Sequence, residues 1–186
     1  MRNIIFILML AASLQGCFPV VAAGAGAGIM IGQDRRTSGA YVEDEAIEAK
    51  SFDRIEKQFK DAVHVNVTSY NRTVLITGEV PDETTKAQIE RIVANIQNVG
   101  KIHNELVVAG LSSLTSRSND TLITSNVKLR FVGDKRFSAN SIKVVTENGI
   151  VYLMGIVNHA EATAAGTVAS GSRGVSRVIE LFEYVD

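Results

Sequence analysis

The chain of 186 residues has a single cysteine, Cys17, which stands in "LQGC" directly behind the apolar run "IIFILMLAAS". A lone thiol has no internal disulfide partner, and in an oxidising compartment it is a liability unless it is consumed. The chemistry that suits this position is cleavage after the small Gly16, followed by acylation of Cys17. The three histidines, His64, His103 and His159, are far apart in sequence, and no HExxH, paired-cysteine or nucleophile-elbow pattern accompanies them. Gly78 and Gly155 each follow a β-branched run. One glycine per run signals a strand-to-helix turn or close packing rather than a phosphate loop. The sequence thus points to no catalytic residue, no metal site and no cofactor.

The N-terminus that would present Cys17 reads as three zones. Met1-Arg2-Asn3 is basic, Ile4 to Leu14 is apolar, and Gln15-Gly16 precede the cysteine. An apolar run of roughly ten residues is too short to span a bilayer but suits a signal-peptide core. An incidental cysteine after an ordinary signal, or an uncut anchor, would share that run, but Pro19 and the Gly/Ala pairs up to Gly32 make a poor helix. The stretch resembles a bacterial lipobox, with Leu14 at −3, Gly16 at −1 and Cys17 as the acceptor; Gln15 departs from the usual small residue. Residues 1–16 are therefore expected to be a lipoprotein signal peptide. Residues 17–42 are expected to be the lipidated Cys17 and a flexible tether, Gly/Ala-rich and then polar ("GQDRRTSGA").

Beyond the tether the chain repeats itself. "VNVTSYNRTVLITGEV" (65–80) aligns with "IKVVTENGIVYLMGIV" (142–157), so that Asn71 matches Asn148, Val74 matches Val151 and Gly78 matches Gly155. A period of about 65 to 70 residues is too long for a solenoid unit and right for a small domain. Each copy opens with apolar residues at helical spacing, Ile47, Ile55 and Phe59 in the first and Ile123, Val127 and Phe131 in the second. Two β-branched runs follow, split by a tight turn; Asn148-Gly149 is a strong type I′ hairpin signal and Asn71-Arg72 a weaker one. A second helix comes next, behind Pro81 in one copy and behind Asn158 with Glu161 in the other, a capping-box spacing. The copies close on "KIHNELVV" and "SRVIELFEYV". The expected fold class is α+β, with two tandem αββαβ domains at 43–109 and 118–186, joined by the polar linker "GLSSLTSRS". Each would be a three-stranded mixed sheet covered by two helices.

The αββαβ order, with a glycine late in "LITGEV" and "LMGIV", resembles a BON domain. The whole chain resembles the dual-BON outer-membrane lipoproteins of Gram-negative bacteria, most specifically in "SNDT" and "VTENGIVYLMG". That resemblance implies a non-enzymatic protein that supports outer-membrane integrity and binds anionic phospholipid, phosphatidylglycerol above all, through its second domain. It also implies lipid contacts at Leu122, Val127 and Val132 and at Gly155, Ile156 and Val157, with Leu122 standing where the relatives carry tryptophan. Phe18, in place of an aspartate, implies sorting to the inner leaflet of the outer membrane, facing the periplasm.

Charge and helical phase bear on the same question. Residues 43–110 hold twelve acids and eight bases, and residues 119–186 hold seven of each, so the second copy is less repelled by an anionic surface. A net charge of −1 gives no sign of nucleic-acid binding. In "TLITSNVKLRFV", Ile123, Val127 and Phe131 share a core face, while Leu122, Leu129 and Val132 fall on another. The helix is expected from Thr121 to Val132. Two partners suit its second stripe: the other domain, or a lipid interface with Lys128, Arg130, Lys135 and Arg136 at headgroups. The rival function is a periplasmic adaptor that binds outer-membrane assembly proteins, for instance through exposed sheet edges.

Overall fold

The computed structural model describes residues 34–185. The first domain runs α1 (Ser38–Phe59), β1 (His64–Tyr70), β2 (Thr73–Val80), α2 (Glu83–Ala94), β3 (Ile102–Asn104) and β4 (Val107–Val108). The second repeats the order as α3 (Leu114–Gly133), β5 (Ile142–Glu147), β6 (Ile150–Val157), α4 (His159–Ser170) and β7 (Arg177–Tyr184). In each domain the hairpin is antiparallel and the last strand lies parallel to the central one, so the sheets are mixed, as the repeat predicts.

The helical periods translate into packing. Ile47, Ile55, Ile89 and Val93 pack on Val74, Ile76 and Val80 of β2 in the first domain. Ile123, Val127 and Phe131 pack on Val144, Val151, Leu153 and Val157 in the second. Helix boundaries differ from expectation at their starts. α1 begins at Ser38, inside the stretch read as tether, because Thr37 caps it by accepting from the Ala40 N–H at 3.1 Å. α3 begins at Leu114, inside the stretch read as linker, because Ser113 caps it in the same way from Ser116. A serine-rich segment reads as loop until one serine turns out to be a cap.

A buried aspartate of each first helix holds the hairpin turn of its own domain. Asp44 accepts from the backbone N–H groups of Asn71 and Arg72, at 2.7 and 2.8 Å. Asp120, in the "SNDT" stretch, accepts from Asn148 and Gly149 at 3.0 and 2.8 Å. Both turns have positive φ at both central residues, and the bonds to Asp44 hold Arg72 in a conformation that otherwise favours glycine. Gly78 and Gly155 lie within β2 and β6 rather than at strand-to-helix turns. A Cβ at Gly78 would stand 1.9 Å from the His64 carbonyl oxygen, and one at Gly155 2.5 Å from that of Ser141. Close approach of the neighbouring backbone requires these glycines.

Strand alternation gives each sheet a second face. Tyr70 and Leu75 of the first sheet and Tyr152, Met154 and Ile156 of the second form one buried cluster between the domains. The layers are therefore helices, sheet, sheet, helices. Hydrogen bonds rim this contact: Tyr70 Oη donates to the Ser141 carbonyl at 3.1 Å, Lys143 Nζ to Glu48 at 2.6 Å, and Asn71 Nδ2 to Glu183 at 2.6 Å.

Candidate functional site

α3 presents an apolar face that nothing among the described residues covers. Leu122, Leu129 and Val132 are 64%, 71% and 75% exposed. Leu114 joins them at 78% exposed, and it stands about five whole turns before Val132, on the same face. Leu114 lies in the serine-rich stretch whose composition predicts a linker, and the Ser113 cap is the signal that marks it as helix. The stripe is thus about 27 Å long, from eighteen residues at 1.5 Å each.

The hydroxyls beside the stripe are satisfied within the helix. Ser118 donates to the Leu114 carbonyl, Thr121 to Arg117 and Ser125 to Thr121, at 2.8 to 3.0 Å. Such i−4 bonding leaves these residues with little need of water. The face can therefore enter an apolar medium at low desolvation cost.

Several residues implied by the resemblance lie elsewhere. Val127 is fully buried among the second-domain core residues, as its helical phase requires. Gly155, Ile156 and Val157 belong to β6 and are buried, Val157 against the helices and Ile156 against the first domain. The reason is the length of β6, which pairs with β7 as far as Val157 and Tyr184. Arg130 does not reach outward either: its guanidinium bonds the Gly171 carbonyl and the Ser172 hydroxyl, bracing the end of α4. Arg136 pairs with Asp134 at 2.6 Å and, through that hydrogen bond, pulls the aspartate's pKa down to about 2. Lys128 and Lys135 are exposed, with no ion pair among the described residues. Cys17 lies outside the described residues.

The segment that leads in from the N-terminus is held to the second domain. Arg35 donates to both carboxylate oxygens of Glu161, at 2.6 and 2.8 Å, and to the Ile156 carbonyl at 3.0 Å. Arg36 pairs with Asp34 and Asp44 and stacks its guanidinium on Tyr70, 4.1 Å from the ring centre. Asp34 and Arg35 line one cleft with Val132, Lys135 and Arg136. The root of the tether therefore lies beside the C-terminal end of the apolar stripe.

A second constellation arises between the domains. His64, Glu79 and Glu147, which no sequence spacing links, bring ligand atoms within 4.8 Å of one another. Register makes half of this: His64 and Glu79 are direct cross-strand partners on β1 and β2. The sheet-to-sheet contact supplies Glu147.

A repeated αββαβ unit, its buried aspartate under each hairpin and its obligatory β2 and β6 glycines define a domain type. The BON domain model matches residues 43–110 and 119–186. This chain belongs to the BON-domain family. It is 37% identical over 175 residues to "Outer membrane lipoprotein DolP" of Haemophilus influenzae, covering 93% of this chain and 91% of that protein. It is 33% identical over 154 residues to "21 kDa hemolysin" of Actinobacillus pleuropneumoniae, covering 82% and 79%. Against "Osmotically-inducible protein Y" of Escherichia coli the identity is 24% over 156 residues, covering 82% and 78%. Among the described residues of this tandem BON protein, no helix is long and apolar enough to cross a membrane.

Proposed function

We propose that this chain is an outer-membrane lipoprotein that faces the periplasm, is anchored by acylated Cys17, and docks its second BON domain on anionic phospholipid to support membrane integrity. The uncovered α3 stripe carries this reading: four large apolar side chains on one face, with the neighbouring hydroxyls already bonded within the helix. Its placement beside the tether root supports it, because an anchor upstream of Asp34 keeps α3 within the tether's reach of the bilayer. The name of the Haemophilus relative, an outer membrane lipoprotein, supports the location.

The energetics suit reversible docking. Full burial of one leucine side chain is worth ~1.5–3 kcal/mol, and a lysine near an anionic surface adds about 1 kcal/mol. Partial insertion of Leu114, Leu122, Leu129 and Val132 with Lys128 and Lys135 at the headgroups gives weak contact. The acyl anchor makes it persistent by raising effective concentration. The phosphatidylglycerol headgroup fits this charge pattern.

Flotation tests this reading. The segment from Asp34 onward, which holds both domains, is expected to float with phosphatidylglycerol vesicles, and Leu122→Asp is expected to stay at the bottom of the gradient while its circular dichroism is unchanged. Normal flotation of a folded Leu122→Asp protein would move the lipid surface off α3. Capture on assembly proteins without any vesicle affinity would favour the adaptor instead.

A further inference from the structure

We propose that His64, Glu79 and Glu147 form a site for one divalent cation of the zinc class, shared between the two BON domains. The donor set is one imidazole nitrogen and two carboxylate oxygens, the combination that borderline divalent metals accept. Their ligand atoms lie within 4.8 Å of one another. Donors held at 2.0–2.2 Å around one ion stand about 3–4 Å apart, so only small side-chain adjustments are needed. His64 and Glu79 come from the first domain and Glu147 from the second, so the ion would bind the domains together.

Glu79 and Glu147 are 2% and 7% exposed, yet no lysine or arginine among the described residues pairs with either. Glu79 receives hydrogen bonds from the Asn148 amide and from Ser112, and Glu147 from the Asn66 amide at 3.0 Å. The imidazole of His64 stands 3.6 Å from Glu147. Two buried carboxylates facing one imidazole are a costly arrangement without a counter-ion.

An independent observation lies on the same face. The Thr77 hydroxyl is fully buried and has no hydrogen-bond partner. Alternation along β2 puts Thr77 on the side of Glu79, and its cross-strand partner is Asn66. The Asn66 amide spans His64 Nε2, at 3.3 Å, and Glu147. An orphaned buried hydroxyl on the same sheet face as this cluster calls for a polar occupant, and a metal-bound water meets that need. Rotating the Asn66 amide would offer Oδ1 as a further donor. A cavity of 480 Å³ lined by His64, Asn66, Asp120, Thr124 and Glu147 gives the ion a path from solvent. Asp120 is committed to the hairpin turn and is no ligand. Arg117 and Lys128 also line that cavity, and among the described residues neither makes an ion pair with either glutamate.

This inference does not depend on lipid docking. The test titrates zinc chloride into the metal-stripped full chain in detergent, following heat of binding and thermal unfolding. The expected result is one ion per chain and a rise in midpoint of about 5–10 °C at a hundredfold excess over Kd. His64→Gln and Glu147→Gln, the latter an isostere that keeps the Asn66 contact, are each expected to weaken binding at least tenfold. X-ray absorption of the zinc-loaded wild type reads the shell without any variant: one imidazole with oxygen donors is expected. No binding at millimolar zinc, unchanged affinity in both variants, or a shell of two or more imidazoles overturns the site.

Discussion

α1 and α3 occupy the same place in the two BON domains, and their inner faces are interchangeable in kind: a buried aspartate followed by branched apolar residues. Their outer faces have diverged. α1 carries six acids and three bases, a balance of −3, whereas α3 carries one acid and three bases, a balance of +2. The exposed large apolar groups of α1 are Tyr41, Val42 and Phe52, and Tyr41 is tied to the Arg36 guanidinium. Those of α3, Leu114, Leu122, Leu129 and Val132, share one face with Ser118 and Ser125 between them. The demands of the core are the same in both copies, so what differs outside reports function rather than folding.

The largest effect separates the two faces of α3. Val127→Asp places an uncompensated charge in the core and is expected to cost more than about 3 kcal/mol, unfolding the second domain in a urea titration. Leu129→Asp, two residues on, is expected to stay within about 0.5 kcal/mol of the parent. Equal stability of the two variants would erase the distinction between inner and outer face.

A smaller effect separates α3 from α1. Lys128→Glu combined with Lys135→Glu is expected to weaken affinity for anionic vesicles by about 2 kcal/mol, near thirtyfold, in low salt. Added salt should shrink that difference. Lys50→Glu on α1 is expected to leave vesicle affinity unchanged. A comparable loss from the α1 variant would mean that net charge, not the α3 face, governs docking.

The smallest concerns the latch at the tether root. Hydrogen bonding from Arg35, with help from the Asn158 N–H and against the effect of burial, holds the Glu161 carboxyl below its ordinary value. A depressed carboxylate stabilises the folded state above its unfolded pKa, about 4.3, and loses that contribution as pH falls through the folded value. The latch is thus expected to be intact at pH 7 and at pH 5, and to open only in stronger acid. Titration of Glu161 by carbon NMR checks this, and Glu161→Gln, which keeps the capping box, should cost under about 1 kcal/mol. A Glu161 midpoint at or above the ordinary value would remove the latch from the account.

Much of this was legible beforehand, for reasons that can be named. Ile123, Val127 and Phe131 declare a core face by spacing alone, and that phase was a better guide to Val127 than the resemblance was. Asn148-Gly149 declares its turn through local backbone preference, and Asn158 with Glu161 forms the capping box seen in α4. The tie from Asp44 to Asn71 and Arg72 was hidden, because a residue more than twenty positions away supplies it. The start of α3 was hidden because serine is ambiguous between loop and cap.

Within this protein the sequence by itself determined the repeat, the two cores and the hairpins, because each rests on periodicity or on neighbours a few residues apart. It left the second domain with two apolar surfaces, the outer face of its sheet and the outer face of α3, and no pattern within either says which is covered. Only the tertiary structure decided that. The sheet face of Tyr152, Met154 and Ile156 meets Tyr70 and Leu75, the α3 stripe stays open, and the same contact draws Glu147 to His64 and Glu79. Coverage is a relation between surfaces some seventy or more residues apart, set by which pair of faces buries more apolar area while pairing its polar rim.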